Sequence, residues 1–185
     1  MSYADRASPL ARYFLVAYAL LIIYASLNPF SGWRDPGASL LEFVFAPLPR
    51  YIVAFDVVAN IAAYIPLGLL LVLSLNPRLQ GVPALLLAAS VASFLSFSLE
   101  ALQFYLPSRI SSNLDLAANA FGGSLGAVSG AVLSDHLLRE DGLQAMRYRF
   151  FREGARVDLG LVLLGLWLLS LLYPGSLLFG NGDLR

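Results

Sequence analysis

The composition of this 185-residue chain indicates an integral membrane protein, because 58% of its residues are hydrophobic and only 13% are charged. Soluble domains average about 25% charged residues. Twelve Arg residues offset twelve acidic ones and Lys is absent, so the formal net charge of zero argues against a nucleic-acid partner. The absence of Cys excludes disulfides, thiolate catalysis and Cys-ligated metals, and one His cannot form a His-rich metal site. We therefore predict no cofactor.

Five apolar segments approach the length of about 20 residues that crosses the hydrocarbon core of a bilayer. We predict helices at residues 12–28, 54–75, 83–105, 114–133 and 157–173. Prolines at or just beyond the ends of these segments support the assignment, because proline cannot continue a helix. The loop after the first segment has room for a short interfacial helix at LLEFVF. The predicted fold is all-α, a polytopic bundle of about five transmembrane helices.

The distribution of arginines predicts that the N-terminus is cytoplasmic, since short cytoplasmic loops collect Arg. In that orientation the cytoplasmic side holds Arg6, Arg12, Arg78, Arg139, Arg147, Arg149, Arg152 and Arg156. The outer side holds Arg34, Arg50, Arg109 and Arg185. The cytoplasmic loop 134–156 contains RYRFFREGAR, in which Arg alternates with Tyr and Phe, and this pattern indicates anchoring at the level of the lipid headgroups.

Polar side chains accumulate at the outer ends of the second, third and fourth apolar segments. They are Asp56, Asn60, Glu100, Gln103, Arg109, Asp115 and Asn119, with Ser96 on the same stripe as Glu100 and Gln103. A carboxylate at membrane depth is costly unless it is paired, hydrated or neutralised. We expect Arg109 to pair with Glu100. Three acids around one Arg leave a surplus of negative charge, which favours protonation or a bound ligand.

Two of these polar groups have the same spacing, with Asp four residues before Asn, which places both side chains on one helix face. Each pair alone is equally consistent with a helix cap. The surrounding segments FDVVANIAAYIPLG and LDLAANAFGGSLGA are similar. This similarity is consistent either with two parallel helical hairpins related about an axis along the membrane normal or with coincidence in a short repeat.

Small residues and one proline indicate how these helices pack. Gly122, Gly126 and Gly130 form a GxxxGxxxG pattern, which predicts close approach of another helix, either within the protomer or in a dimer. Pro66 removes one hydrogen bond from the second segment and is expected either to kink it or to be tolerated there. The sequence does not decide the oligomeric state.

At these residues the chain resembles the VanZ-like family of bacterial membrane proteins. The segments that carry the resemblance are YASLNPF, DVVANIAAYIPLG and SLEALQFYLPSRISSNLDLAANAFGGSLG. It covers a four-helix membrane domain at 12–133 and ends before the loop 134–156 and the fifth helix and tail, 157–185. The family is named for a protein associated with resistance to the glycopeptide teicoplanin. The resemblance implies a multi-pass protein of the bacterial cell membrane that acts in the cell envelope.

Three classes of function fit this pattern. The favoured class is a noncatalytic protein that binds a lipid-linked cell-wall precursor or a glycopeptide, with Arg109 contacting a phosphate or carboxylate. The second is an enzyme acting on a lipid phosphate, with Asp56, Glu100 and Asp115 holding Mg²⁺. The third is a proton-coupled transporter in which Glu100 titrates. Membrane lipids are expected partners in all three, and no catalytic residue is assigned.

Overall fold

A computed structural model describes residues 9–37, 39, 41–49, 51–138, 157, 159–163 and 165. The described chain forms α1 (Pro9–Leu27), α2 (Glu42–Phe45), α3 (Ala54–Leu75), α4 (Gly81–Gln103) and α5 (Asn113–Leu138). Helices α1, α3, α4 and α5 are each long and apolar enough to cross a membrane. The predicted polytopic helical bundle is therefore confirmed.

The helices agree closely with the sequence prediction, and the largest difference is at the end of α5. The sequence predicts a loop at residues 134–138, but these residues are helical. Neither Gly nor Pro occurs between Gly130 and Gly142, so nothing in this stretch stops the helix. Helix α2 occupies the predicted interfacial segment. The described residues of the predicted fifth helix, 157, 159–163 and 165, are helical, and the rest of 139–185 lies outside the described residues.

Helices α3 and α5 pack against each other in parallel along the centre of the bundle. A Cβ atom placed on Gly122, Gly126 or Gly130 would approach Ile61, Ile65 or Leu69, respectively. Both series advance by four residues in the same sense, so the two helices run in the same direction. In the described bundle these glycines thus serve packing within one chain.

Helices α1 and α4 complete the bundle. Near the start of α1, Arg12 Nε donates to the carbonyl oxygen of Ser74 at the end of α3, at 3.5 Å. Tyr18 Oη donates to the Ala63 carbonyl in the middle of α3, at 2.9 Å. Helix α1 is therefore antiparallel to α3. Helix α4 contacts both α3 and α5. Because α1 and α4 end where α3 and α5 begin, four helix termini meet at one end of the bundle.

The orientation in the membrane can be tested with single cysteines, because the chain has none of its own. Ser108 and Gln80 are exposed and lie beyond opposite ends of α4. If the N-terminus is cytoplasmic, a membrane-impermeant maleimide should label Ser108→Cys in intact cells and Gln80→Cys only after the cells are opened. The opposite pattern would reverse the orientation and place the polar end of the bundle in the cytoplasm.

Candidate functional site

The polar residues predicted from the sequence all lie near the end of the bundle where the four helix termini meet. Asp56 and Asn60 are in the first two turns of α3, and Asp115 and Asn119 are in the corresponding turns of α5. Glu100 and Gln103 are in the last turn of α4, and Arg109 is in the loop that follows. Two groups of these side chains have different partners, and Glu100 and Asn119 make further contacts of their own.

The first group closes the C-terminal end of α1. Arg109 Nη2 donates to the carbonyl oxygens of Ala25 and Asn28, at 3.0 and 3.1 Å, and Arg109 Nε reaches Asn28 at 3.3 Å. Gln103 Nε2 donates to the Ser26 carbonyl at 2.9 Å. The last carbonyl groups of a helix have no partner within the helix and carry partial negative charge. Arg109 and Gln103 therefore act as a cap for α1.

Glu100 has a different role, since it holds the start of α5. Its side chain is buried, and Oε2 accepts a hydrogen bond from the main-chain N–H of Ser112 at 2.9 Å. The hydroxyl of Ser111 donates to the main-chain carbonyl of Glu100 at 2.7 Å. Ser112 Oγ in turn accepts from the N–H groups of Leu114 and Asp115, at 3.2 and 3.4 Å. Glu100 thus orients the residue that caps α5.

The contacts correct one expectation about these residues and decide one alternative that the sequence left open. Among the described residues, the partner of the Glu100 carboxylate is Ser112, not Arg109. The reason is the course of the α4–α5 loop, which brings Arg109 to α1 and Ser112 back to α4. The N-terminal cap of α5 is Ser112 and not Asp115. The corresponding position of α3 is Val53, whose side chain has no atom that can accept a hydrogen bond, so α3 has no side-chain cap there.

The cap on α1 leads to a prediction for stability. Arg109→Ala removes charge-assisted hydrogen bonds to carbonyl groups that have no helical partner, and such bonds contribute about 1.5–3 kcal/mol. We expect the free energy of unfolding in detergent to fall by about 2 kcal/mol. Arg34→Ala is the matched control, because among the described residues only the main chain of Arg34 makes a hydrogen bond, from its N–H to the Tyr105 carbonyl. Equal losses for the two variants would contradict the capping role.

The second group bridges α3 and α5. The side chain of Asn60 on α3 is a hydrogen-bond partner of the Asp115 carboxyl on α5, and the Asp56 carboxylate interacts electrostatically with the same group. Asp56 is exposed, whereas Asn60 and Asp115 are half-buried. The two Asp-to-Asn turns thus meet across the parallel helix pair. Two acids that share this space repel each other unless a proton, a cation or a ligand intervenes.

Asn119 lies deeper in the same region and is incompletely satisfied. Its Nδ2 donates to Ser96 Oγ on α4 at 3.0 Å, and Tyr64 on α3 also hydrogen-bonds with Ser96. Only 6% of Asn119 is exposed, and among the described residues no donor reaches its Oδ1. A buried acceptor without a partner costs about 1–3 kcal/mol. The amide oxygen is therefore suited to a donor from water or from a ligand.

The acidic residues do not form a ready metal site. In the described part of the chain, no three side chains from His, Cys, Asp and Glu converge closely enough to hold one metal ion. Glu100 is tied to Ser112, while Asp115 faces Asn60. The arrangement of three acids around Mg²⁺ considered from the sequence is thus not preformed.

A pocket of about 280 Å³ lies between α2 and the α4–α5 loop. It is lined by Glu42, Phe43, Ala46, Phe104, Arg109, Ile110 and Ser111. Asn113 Nδ2 donates to the Ala46 carbonyl at 2.6 Å, and this bond joins the end of α2 to the start of α5. Sequence reasoning missed the contribution of α2. The signal was the single acid, Glu42, within the otherwise apolar segment LLEFVF.

Comparison with known proteins identifies the family. The sequence model of the family described as VanZ/LLP1 matches residues 10–134, a range that includes all seven polar residues of the site. The chain belongs to this family, so the resemblance seen in the sequence is confirmed. No curated protein and no solved structure matches the chain.

Proposed function

We propose that this VanZ-type membrane protein binds the headgroup of a lipid-linked cell-wall component at the polar end of its bundle, on the outer side of the bacterial cell membrane. A bound precursor would be withheld from glycopeptide drugs, which links the protein to teicoplanin resistance. In this proposal the protein is not an enzyme, and it contributes binding rather than chemistry.

The observation that carries this proposal is the composition of the pocket beside α2. Arg109 supplies positive charge, while Phe43, Phe104 and Ile110 supply apolar surface. Hydrogen bonds from Arg109 to the carbonyl oxygens of Ala25 and Asn28 hold its guanidinium in position at the pocket. A lipid-linked ligand has a charged phosphate next to an apolar chain. A pocket with a positive side chain next to apolar side chains matches both parts.

The position of the pocket supports the same ligand class. The segment that follows α2 has exposed apolar side chains on both sides of Arg50, with Leu48 at 63% and Tyr51 at 90% exposure. Ile110, on the rim of the pocket, is 89% exposed. In a bilayer these side chains contact lipid, so a ligand can reach the pocket from within the outer leaflet.

Two measurements test the proposal. The first compares lipid-linked cell-wall precursors and teicoplanin susceptibility among wild-type cells, a deletion strain and the complemented strain. The second measures binding of a purified lipid-linked precursor to the full chain in detergent. We expect the deletion to change susceptibility and the purified chain to bind the precursor. Metal-dependent release of phosphate from the precursor would instead indicate an enzyme, and solute flux in proteoliposomes would indicate a transporter.

A further inference from the structure

We infer that the pocket beside α2 selects a headgroup that carries a primary ammonium group together with a phosphate. The inference rests on the proposed function and specifies its ligand. Two kinds of lipid have this chemistry: an amine-bearing phospholipid, and a polyprenyl-linked precursor with a free amine on its peptide.

The charges lining the pocket carry the inference. Glu42 and Arg109 are its two charged lining residues, and they have opposite signs. Among the described residues, the Glu42 side chain makes no hydrogen bond or ion pair, and it is an exposed residue of the pocket lining. Arg109 is held in position by its bonds to α1. A fixed cation and an unpaired anion on one pocket match a zwitterion better than a simple phosphate, which Glu42 would repel.

The size and the rim of the pocket limit which part of the ligand enters. A volume of about 280 Å³ is near the lower end of the range of small-molecule pockets, about 300–1,000 Å³. It suits a headgroup and not a whole lipid. Phe43 and Phe104 contribute apolar surface to the lining, and the lining residue Ile110 is 89% exposed. The lipid chains can therefore remain in the bilayer while the headgroup occupies the pocket.

The test measures binding of short-chain phosphatidylethanolamine to the purified full chain by native mass spectrometry. Its N-acetylated form is the matched ligand, because it keeps the phosphate and loses the ammonium charge. We expect the unmodified lipid to bind about fivefold more tightly, the ratio typical of one partly exposed charge pair. In Glu42→Gln this preference should disappear, while binding of the N-acetylated lipid should be unchanged or slightly stronger. Asp35→Asn, which removes an exposed carboxylate outside the pocket, should keep the preference.

The polyprenyl-linked precursor is tested in the same way, in its amine form and its N-acetylated form. The source of the headgroup is then the lipid whose amine form binds more tightly, the phospholipid or the polyprenyl-linked precursor. Equal binding of the amine and N-acetyl forms, or a preference that survives Glu42→Gln, would overturn the inference and leave the proposed function standing. If no amine-bearing or N-acetylated lipid of either kind binds, the proposed function fails as well.

Discussion

Gly126→Ala should destabilise the protein by about 2 kcal/mol or more, because one additional methyl group would enter the contact between α3 and α5. A Cβ atom at this position overlaps the carbonyl oxygen of Ile65 and lies 2.8 Å from its carbonyl carbon. These are main-chain atoms of a helix and cannot rotate away as a side chain can. The two helices must separate, and the contact between Asn60 and Asp115 should loosen with them. Unfolding by heat or by sodium dodecyl sulfate in detergent micelles measures the loss.

Gly160→Ala is the matched control for this prediction. The substitution is chemically identical and lies in a helical stretch, but a Cβ atom there meets nothing within 4 Å. Replacing a helical glycine by alanine in open space stabilises by about 0.5–1 kcal/mol. We therefore expect effects of opposite sign at the two positions. Unchanged stability of Gly126→Ala would show that α3 and α5 are not in close contact.

The membrane helices were predictable because length and hydrophobicity decide them locally. An apolar run of about 20 residues must satisfy its main chain within itself, so only its ends are uncertain. Pro29, Pro77 and Pro107 each follow the end of a helix and are visible in the sequence. The GxxxGxxxG pattern similarly indicates a close contact with another helix, although it does not identify α3 as that helix.

The partners of the polar residues could not be predicted in the same way. Sequence proximity suggested that Arg109 pairs with Glu100, nine residues earlier. A guanidinium is satisfied equally well by main-chain carbonyl groups, and the end of α1 supplies them from residues more than 80 positions away. Only the folded path of the α4–α5 loop determines this choice. The pocket beside α2 is another product of folding, since Glu42 and Arg109 are distant in the sequence.

The two Asp-to-Asn turns show how sequence and structure complement each other. Their similarity is consistent with equivalent positions on two parallel helices, and α3 and α5 do run in parallel. What the pattern could not show is that the polar turns meet each other, with Asn60 of one hydrogen-bonded to Asp115 of the other. Nor could it show that Asn119 turns towards Ser96 on α4, away from any helix cap. The repeated motif thus builds one shared polar region.

We expect Asp115→Asn to preserve the fold and abolish the proposed function. Asparagine has nearly the shape of aspartate, and its Oδ1 can still accept a hydrogen bond from Asn60. The substitution also removes the repulsion between Asp56 and Asp115, so stability should not fall by more than about 0.5 kcal/mol. The negative charge is lost, and with it the capacity to hold a cation or exchange a proton. Glu100→Gln should behave similarly, since the amide oxygen can still accept from the Ser112 N–H.

The measurement is teicoplanin susceptibility of the deletion strain complemented with each variant, with membrane abundance determined alongside. We expect Asp115→Asn and Glu100→Gln to reach normal abundance and to leave susceptibility at the level of the deletion strain. Asp35→Asn changes an exposed carboxylate outside the polar cluster and should complement fully. Full complementation by both site variants at normal abundance would mean that the charge of these acids is dispensable. Their role would then be structural, with Glu100 supporting the start of α5 and Asp115 joining α5 to α3.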